Sequence, residues 1–362
     1  MFTVGVEEEF HVIDPITRVL VPDGAAILDE LEQQSSRVGL EMHACMIETS
    51  TPVCRSLTEV RDELGRLRRM VVQAAGRAGR ALAACGTAPL ADVGQQRLTP
   101  GPRYERMLHA YQQVAREQLI CACHTHVGFD DRDLAIEILN RARPWISTLL
   151  ALSVSSPFWA GTDTGFASYR SQVWTRWPTA GPPAAFASAS EYDLVVKELI
   201  ASDTIGDESM VYWDLRPSAR QETLEVRIAD SCATVDETVL QAGLFLALAR
   251  TCHEEYLRGD PPPQPRHELL QAAKWRAGRF GVEGELLDVT ARATFPAAEV
   301  VARLLEYLRP ALERHGDWDE VFFLTMQTLA RGTASARQRR AYQRQGRLED
   351  VVDMIVTETA AG

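Results

Sequence analysis

Lysine is nearly missing from this 362-residue chain: Lys197 and Lys274 are the only two, so almost all of its 38 basic side chains are arginine. Schiff-base chemistry and a phosphate-cradling lysine loop therefore have few candidates. Anions must be met by guanidinium forks or by metal ions. The Gly-x-x-x-x-Gly-Lys-Ser/Thr, Gly-x-Gly-x-x-Gly and Gly-x-Ser-x-Gly patterns are absent, which leaves P-loop, Rossmann and α/β-hydrolase readings without their defining residues.

Other absences narrow the class further. No stretch approaches the roughly 20 apolar residues that cross a bilayer, and the N-terminus lacks a basic region followed by an apolar one. No basic tract runs along a chain of formal net charge -12, so an extended nucleic-acid surface is excluded. The seven cysteines, an odd number scattered from Cys45 to Cys252, do not read as a disulfide framework, and a reducing cytoplasm is expected. Repeats, low-complexity tracts and composition shifts are missing too. With 46% hydrophobic and 24% charged residues, one α+β domain over residues 1–362 is the simplest reading.

Residues 2–13 alternate as a half-buried strand, with Val4, Val6, Phe10 and Val12 on one face and Glu7, Glu9 and His11 on the other. Further strands are expected at 40–51, 119–129, 209–216 and 222–229. Helical periodicity appears at 23–34, 57–84, 103–117, 144–155, 234–258, 265–277, 297–315 and 317–331. The apolar helices at 234–258 and 297–331 offer faces that suit a homodimer. Between 157 and 190 the chain is rich in Gly, Pro, Ser and aromatics without clean periodicity, as expected of a functional loop or lid.

Glu7 and Glu9 leave the same strand face about 7 Å apart along the backbone. Two ionised carboxylates so placed suit either a solvated surface or a hard divalent cation between them. Glu225 and Arg227 share a strand face in the same way, and alone they read equally well as an exposed ion pair. His124 and His126 share one face of the strand at 119–129, opposite Cys121 and Cys123, which splits any Cys/His zinc set. Glu48 ends an apolar strand just before a turn. Near the C-terminus, Arg331, Arg337, Arg339 and Arg340 concentrate guanidinium groups in an acidic protein, a pattern suited to phosphate or carboxylate oxygens or to a solvated helix start.

Taken in order, Gly5-Val-Glu-Glu-Glu-Phe10, Glu48-Thr-Ser-Thr-Pro-Val-Cys54, His124-Thr-His-Val-Gly128, Tyr169-Arg-Ser-Gln-Val-Trp174, Glu225-Val-Arg227, Trp275-Arg-Ala277 and Arg331-Gly-Thr333 resemble the type 2 glutamate–cysteine ligase family of carboxylate–amine ligases. The resemblance spans essentially the whole chain. It implies a glutamine-synthetase-like curved, largely antiparallel sheet forming a funnel, with helices packed outside and ATP and Mg2+, or Mn2+ in its place, within.

By that resemblance the metal ligands fall on Glu7, Glu9, Glu48, His126 and Glu225, and Arg227 faces the phosphates of ATP. Arg331, Arg337 and Arg340 become secondary candidates for nucleotide or substrate anions. Arg170, an arginine among aromatics, is the candidate for gripping a substrate carboxylate. Glu8, on the apolar side of the first strand, is expected to tolerate replacement better than its two neighbours. The expected chemistry is ATP-dependent joining of a carboxylate, glutamate by default, to an amine such as cysteine through an acyl phosphate. An ATP–Mg phosphotransferase and an inactive metal- or nucleotide-binding protein are the alternatives.

Overall fold

The computed structural model describes residues 2–31, 36–129 and 131–361. Its centre is an antiparallel sheet. In chain order the strands are β1 (Val4–Ile13), β2 (Val38–Leu40), β3 (Met46–Ser50), β4 (Ala81–Ala83) and β5 (Cys123–Gly128), then a small hairpin of β6 (Phe158–Trp159) and β7 (Thr162–Asp163). β8 (Leu215–Pro217) and β9 (Thr223–Val226) return to the main sheet, and β10 (Glu285–Asp288) and β11 (Ala293–Pro296) make a second hairpin. The main sheet runs β2-β3-β1-β5-β9-β8, with β4 paired to the far end of β1.

Helices cover one side of this sheet and its ends. They are α1 (Gly24–Asp29), α2 (Leu57–Arg77), α3 (Pro102–Tyr111), α4 (Gln113–Arg116), α5 (Arg132–Ala142), α6 (Ile146–Ser153) and α7 (Arg170–Trp174). There follow α8 (Ala189–Ala201), α9 (Val235–Arg258), α10 (His267–Phe280), α11 (Ala297–His315), α12 (Trp318–Arg331), α13 (Ala334–Gln345) and α14 (Leu348–Ala361). The long α9 opens with a capping box, Thr234 accepting from the Glu237 N–H while the Glu237 carboxylate accepts from Thr234 N–H. No helix among the described residues is long and apolar enough to cross a membrane.

Several boundaries depart from the periodicity. The helix expected over 57–84 stops at Arg77, because Gly79 takes a left-handed φ of 68° and releases the chain into β4. The helix expected over 103–117 is broken at Gln112, whose φ is 48°. The strand expected over 40–51 is two short strands joined by a turn. The helix expected over 23–34 is α1, and its residues 32–34 lie outside the described residues. The segment 157–190 is no exposed lid: Ser168, Arg170, Ser171, Val173 and Trp177 are buried, and the segment forms a wall that includes α7. α8, α13 and α14 and both small hairpins were not marked by the apolar pattern.

Candidate active site

Alternation along β1 sends Glu7 and Glu9 to the face opposite Val6 and Phe10. Antiparallel register decides what stands beside them. Glu9 is opposite Glu48 on β3, Glu7 opposite His124 on β5, His126 opposite Glu225 on β9, and Glu225 opposite Arg216 on β8. Neighbouring strands lie about 4.8 Å apart, so pairing alone brings these side chains together.

His124 sits at the middle of the cluster. Its Nδ1 is 3.2 Å from Glu7 Oε2 and 4.0 Å from Glu225 Oε1, and its Nε2 is 4.0 Å from Glu9 Oε1. Two groups of potential ligand atoms result, Glu7 with His124 and Glu225, and Glu9 with Glu48 and His124, each with all its atoms within 4.8 Å of one another. His126 stands at the edge: its Nδ1 is 2.9 Å from Thr223 Oγ1, and its Nε2 lies 3.5 Å from Glu7 Oε2.

Surroundings divide the carboxylates. Burial opposes ionisation of Glu7, but bonds to His124 and His126 outweigh it and hold the carboxyl well below the usual range. Burial opposes it at Glu225 as well, where the charges of Arg227 and Arg216 prevail. Glu9 is pushed up to about 8, by burial and then by the charge of Glu41. Glu48 is raised well above the usual range by burial, then by Glu41, Glu7 and Glu9. Burial and Arg227 bring His124 down to about 4, leaving a neutral ring at physiological pH. Carboxylates that strain against one another beside a neutral imidazole fit a hard divalent cation, whose charge relieves the repulsion.

The cluster lines the smaller of two cavities, and the two share Glu7, His126 and Gln221. One, of about 270 Å³, is lined by the acidic residues, by Arg103, Arg170, Arg216, Arg220 and Arg227, and by Tyr104, Trp174, Trp177 and Tyr212. The other, of about 850 Å³, reaches Phe2, Phe129, Arg250 and His253. Arg227 donates to Glu225 Oε1 and lies over the Trp174 ring.

The C-terminal arginines are elsewhere. Arg331 and Arg337 both donate to Glu237 Oε1 at 2.8 Å, Arg337 also to Glu358 at 2.7 Å, and Arg340 to the Arg331 carbonyl. They fasten α12, α13 and α14 to the start of α9, and neither cavity is lined by them. Arg170 does line the smaller cavity, with its fork turned to the backbone carbonyls of Arg227 and Ile228.

Glu41, Arg103 and Arg216 were not singled out in the sequence. Glu41 follows directly on β2, and the tight return into β3 carries it over the cluster. Its signal was an acid seven residues before Glu48 in a stretch read as one continuous strand. Arg216 ends the strand expected at 209–216, and only the β8–β9 register sets it against Glu225.

Residues 3–354 match the family described as glutamate-cysteine ligase family 2. A Frankia alni protein provisionally named glutamate–cysteine ligase 2-3 is 47% identical over 98% of this chain, and the chain spans only 41% of that protein. A Mycolicibacterium smegmatis protein provisionally named glutamate–cysteine ligase 2-2 is 44% identical over 99% of this chain and 90% of its own length. In fold, the chain superposes on the glutamate–cysteine ligase of Francisella tularensis, solved in complex with AMP, with a TM-score of 0.75 at 13% identity, covering 100% of this chain and 89% of that one. The strand register, the acidic face and these matches together place the chain in glutamate–cysteine ligase family 2.

Proposed function

We propose that this chain joins a carboxylate to an amine with ATP, through an acyl phosphate. The observation that carries the reading is the convergence of Glu7, Glu9, Glu41, Glu48 and Glu225 on one largely buried face, where five carboxylates can all be ionised together only with compensating cations. The neutral His124 ring has one lone pair, so it would serve either the group with Glu7 and Glu225 or the group with Glu9 and Glu48, and the carboxylates of the other group, with Glu41 close by, would hold a second Mg2+ ion without it. His126 is assigned as a neighbour of the first group. Bound Mg2+ would supply neutralisation of the phosphates and of the attacking carboxylate.

The larger cavity has room for a nucleoside, and the smaller one suits the acid and the amine. A substrate carboxylate oxygen attacks the γ-phosphorus, the bond to the β-phosphate oxygen breaks, and ADP leaves. Arg227 takes up phosphate charge, and its pairing with Glu225 fixes its direction. The amine then forms the C–N bond, loses a proton, and expels inorganic phosphate. The wall of Trp174, Trp177 and Tyr212 excludes water that would hydrolyse the acyl phosphate. The acid is expected to be glutamate and the amine cysteine or a related amino compound.

The test is phosphate release from ATP and Mg2+ with paired acids and amines, followed by mass analysis of the products. Amine-dependent release with an amide product supports the reading. Release that ignores the amine across a broad panel, or a stable phosphorylated product, contradicts it.

A further inference from the structure

β9 ends at Val226, and the chain pairs again with the start of β5 and the residue before it only from Ala229, whose carbonyl accepts from the Cys123 N–H at 3.2 Å, and Asp230, which bridges Ala122. Arg227 keeps one strand-like bond, its N–H donating to Asp214 O at 2.8 Å. The carbonyl oxygens of Arg227 and Ile228 are taken up by a side chain instead. Arg170 donates from Nη2 to Arg227 O and from Nη1 to Ile228 O, both at 3.0 Å. Buried carbonyls require partners, and a guanidinium fork here does the work of an adjacent strand. The Trp174 ring lies 5.7 Å from the guanidinium carbon of Arg170 and 5.7 Å from that of Arg227, so one indole holds both arginines.

Asp230 stands behind Arg170, 3.7 Å from its Nη1, with no exposure to solvent. Its carboxylate accepts from Ser156 Oγ at 2.6 Å, Ser168 Oγ at 2.7 Å and the Ser155 N–H at 2.9 Å. Ser156 Oγ in turn accepts from the Arg170 N–H at 3.1 Å, and Ser168 Oγ from the Ser171 N–H at 3.2 Å. One carboxylate thus binds the first turn of α7 to the segment after α6. Gly86 packs so close that a Cβ there would come within 2.8 Å of the Asp230 carboxyl carbon. Asp230 is not part of the lining of the acidic cavity.

We propose that Asp230 and Arg170 form a clamp that sets the position of Arg227, and that the hold of Arg227 on the nucleotide phosphates depends on this clamp. The inference rests on the ligase reading above, in which Arg227 meets those phosphates. It gives Arg170 a different task from gripping a substrate carboxylate. Arg170 and Asp230 are positioning residues, acting through the backbone of residues 227 and 228. Glu225 and the Trp174 ring hold the outer end of the Arg227 side chain, while its Nε is buried without a hydrogen-bond partner among the described residues, so the backbone at 227 sets where that side chain starts. Small displacements of the backbone at 227 pass directly to the guanidinium.

The test is a double-mutant cycle on the full chain, read as affinity for ATP with Mg2+ by calorimetry. Arg170→Lys keeps the charge and loses the fork. It is expected to weaken ATP binding about 30-fold in the parent background and by less than about threefold in an Arg227→Gln background, as for residues that act through one another. Circular dichroism melting establishes that each variant folds, and Asp230→Asn, which keeps the shape of the side chain, provides a second cycle should Arg170→Lys not fold. A fold-loss equal in the two backgrounds overturns the clamp, because a general loss of structure acts independently of Arg227. The ligase reading is checked separately by amine-dependent phosphate release of the parent protein. Its absence beside a non-additive affinity cycle removes the ligase reading and leaves the clamp; its presence beside an additive cycle does the reverse.

Discussion

Glu8 Oε1 and Arg68 Nη2 meet at 2.5 Å with both side chains 1% exposed, directly behind the strand that carries Glu7 and Glu9. Thr238 Oγ1 donates to the same carboxylate at 2.6 Å, while Arg68 also donates to Ala233 O at 2.9 Å and Cys232 O at 2.8 Å. The pair locks β1 to α2 and to the start of α9. The expectation that Glu8 tolerates replacement better than Glu7 and Glu9 did not include this pair: an acid on an apolar face is costly until a buried partner meets it, and then it is costly to remove.

Glu8→Ala is expected to lower stability by about 3–5 kcal/mol, because it strands a buried guanidinium. Urea denaturation of the metal-free protein measures it. Replacing both partners, Glu8→Ala with Arg68→Met, should cost less than the single change, and a loss below about 1 kcal/mol for the single change contradicts the pairing.

At the cluster the signs reverse. Glu48→Gln removes one of several mutually repelling carboxylates whose ionisation burial already opposes. The variant is expected to melt at or above the parent temperature in EDTA and to lose about 100-fold or more in Mg2+-dependent activity, the effect of deleting a metal ligand. A variant that melts well below the parent without metal contradicts the repulsion on which the site is argued.

Glu9 gives the pH dependence. Its carboxyl holds its proton to about pH 8 in the folded metal-free protein, above the usual carboxylate value near 4.5. Between these values the folded state binds more protons than the unfolded state, so metal-free stability falls as pH rises through the window. If Glu9 is a ligand as proposed, Mg2+ has to displace that proton, and its affinity should rise across pH 6–8 by up to about tenfold per unit. Calorimetric titration at three pH values checks this, and a flat affinity contradicts it.

His124 and His126 should separate. His124 belongs to both potential ligand groups, whereas His126 bonds Thr223 through Nδ1 and reaches only Glu7. His124→Asn is expected to weaken Mg2+ binding about 10- to 100-fold, and His126→Asn by several-fold less. Direct metal titration of both variants decides between them.

The two-residue period of β1 was enough to place Glu7 and Glu9 together, and a pair of strand faces carried Glu225, Arg227 and the histidines. What periodicity lacks is register. Which histidine stands beside Glu7, and that Arg216 faces Glu225, follow from strand pairing between residues some 10 to 120 apart in the chain. Glu41 was hidden because a turn, not a strand, delivers it. The arginines at 331–340 show the opposite limit: charge density in sequence cannot tell a phosphate site from an internal ion-pair network, and Arg331 and Arg337 are in such a network with Glu237 and Glu358.

The most direct test of the ligase reading follows oxygen. The parent protein is incubated with ATP, Mg2+, an amine panel that includes cysteine, and acids that include glutamate labelled with 18O in the side-chain carboxylate. Attack of the carboxylate on the γ-phosphorus is expected to carry one 18O atom into each inorganic phosphate released, in step with amide formation. Unlabelled phosphate accompanying amide, or phosphate release indifferent to the amine, contradicts the acyl-phosphate route.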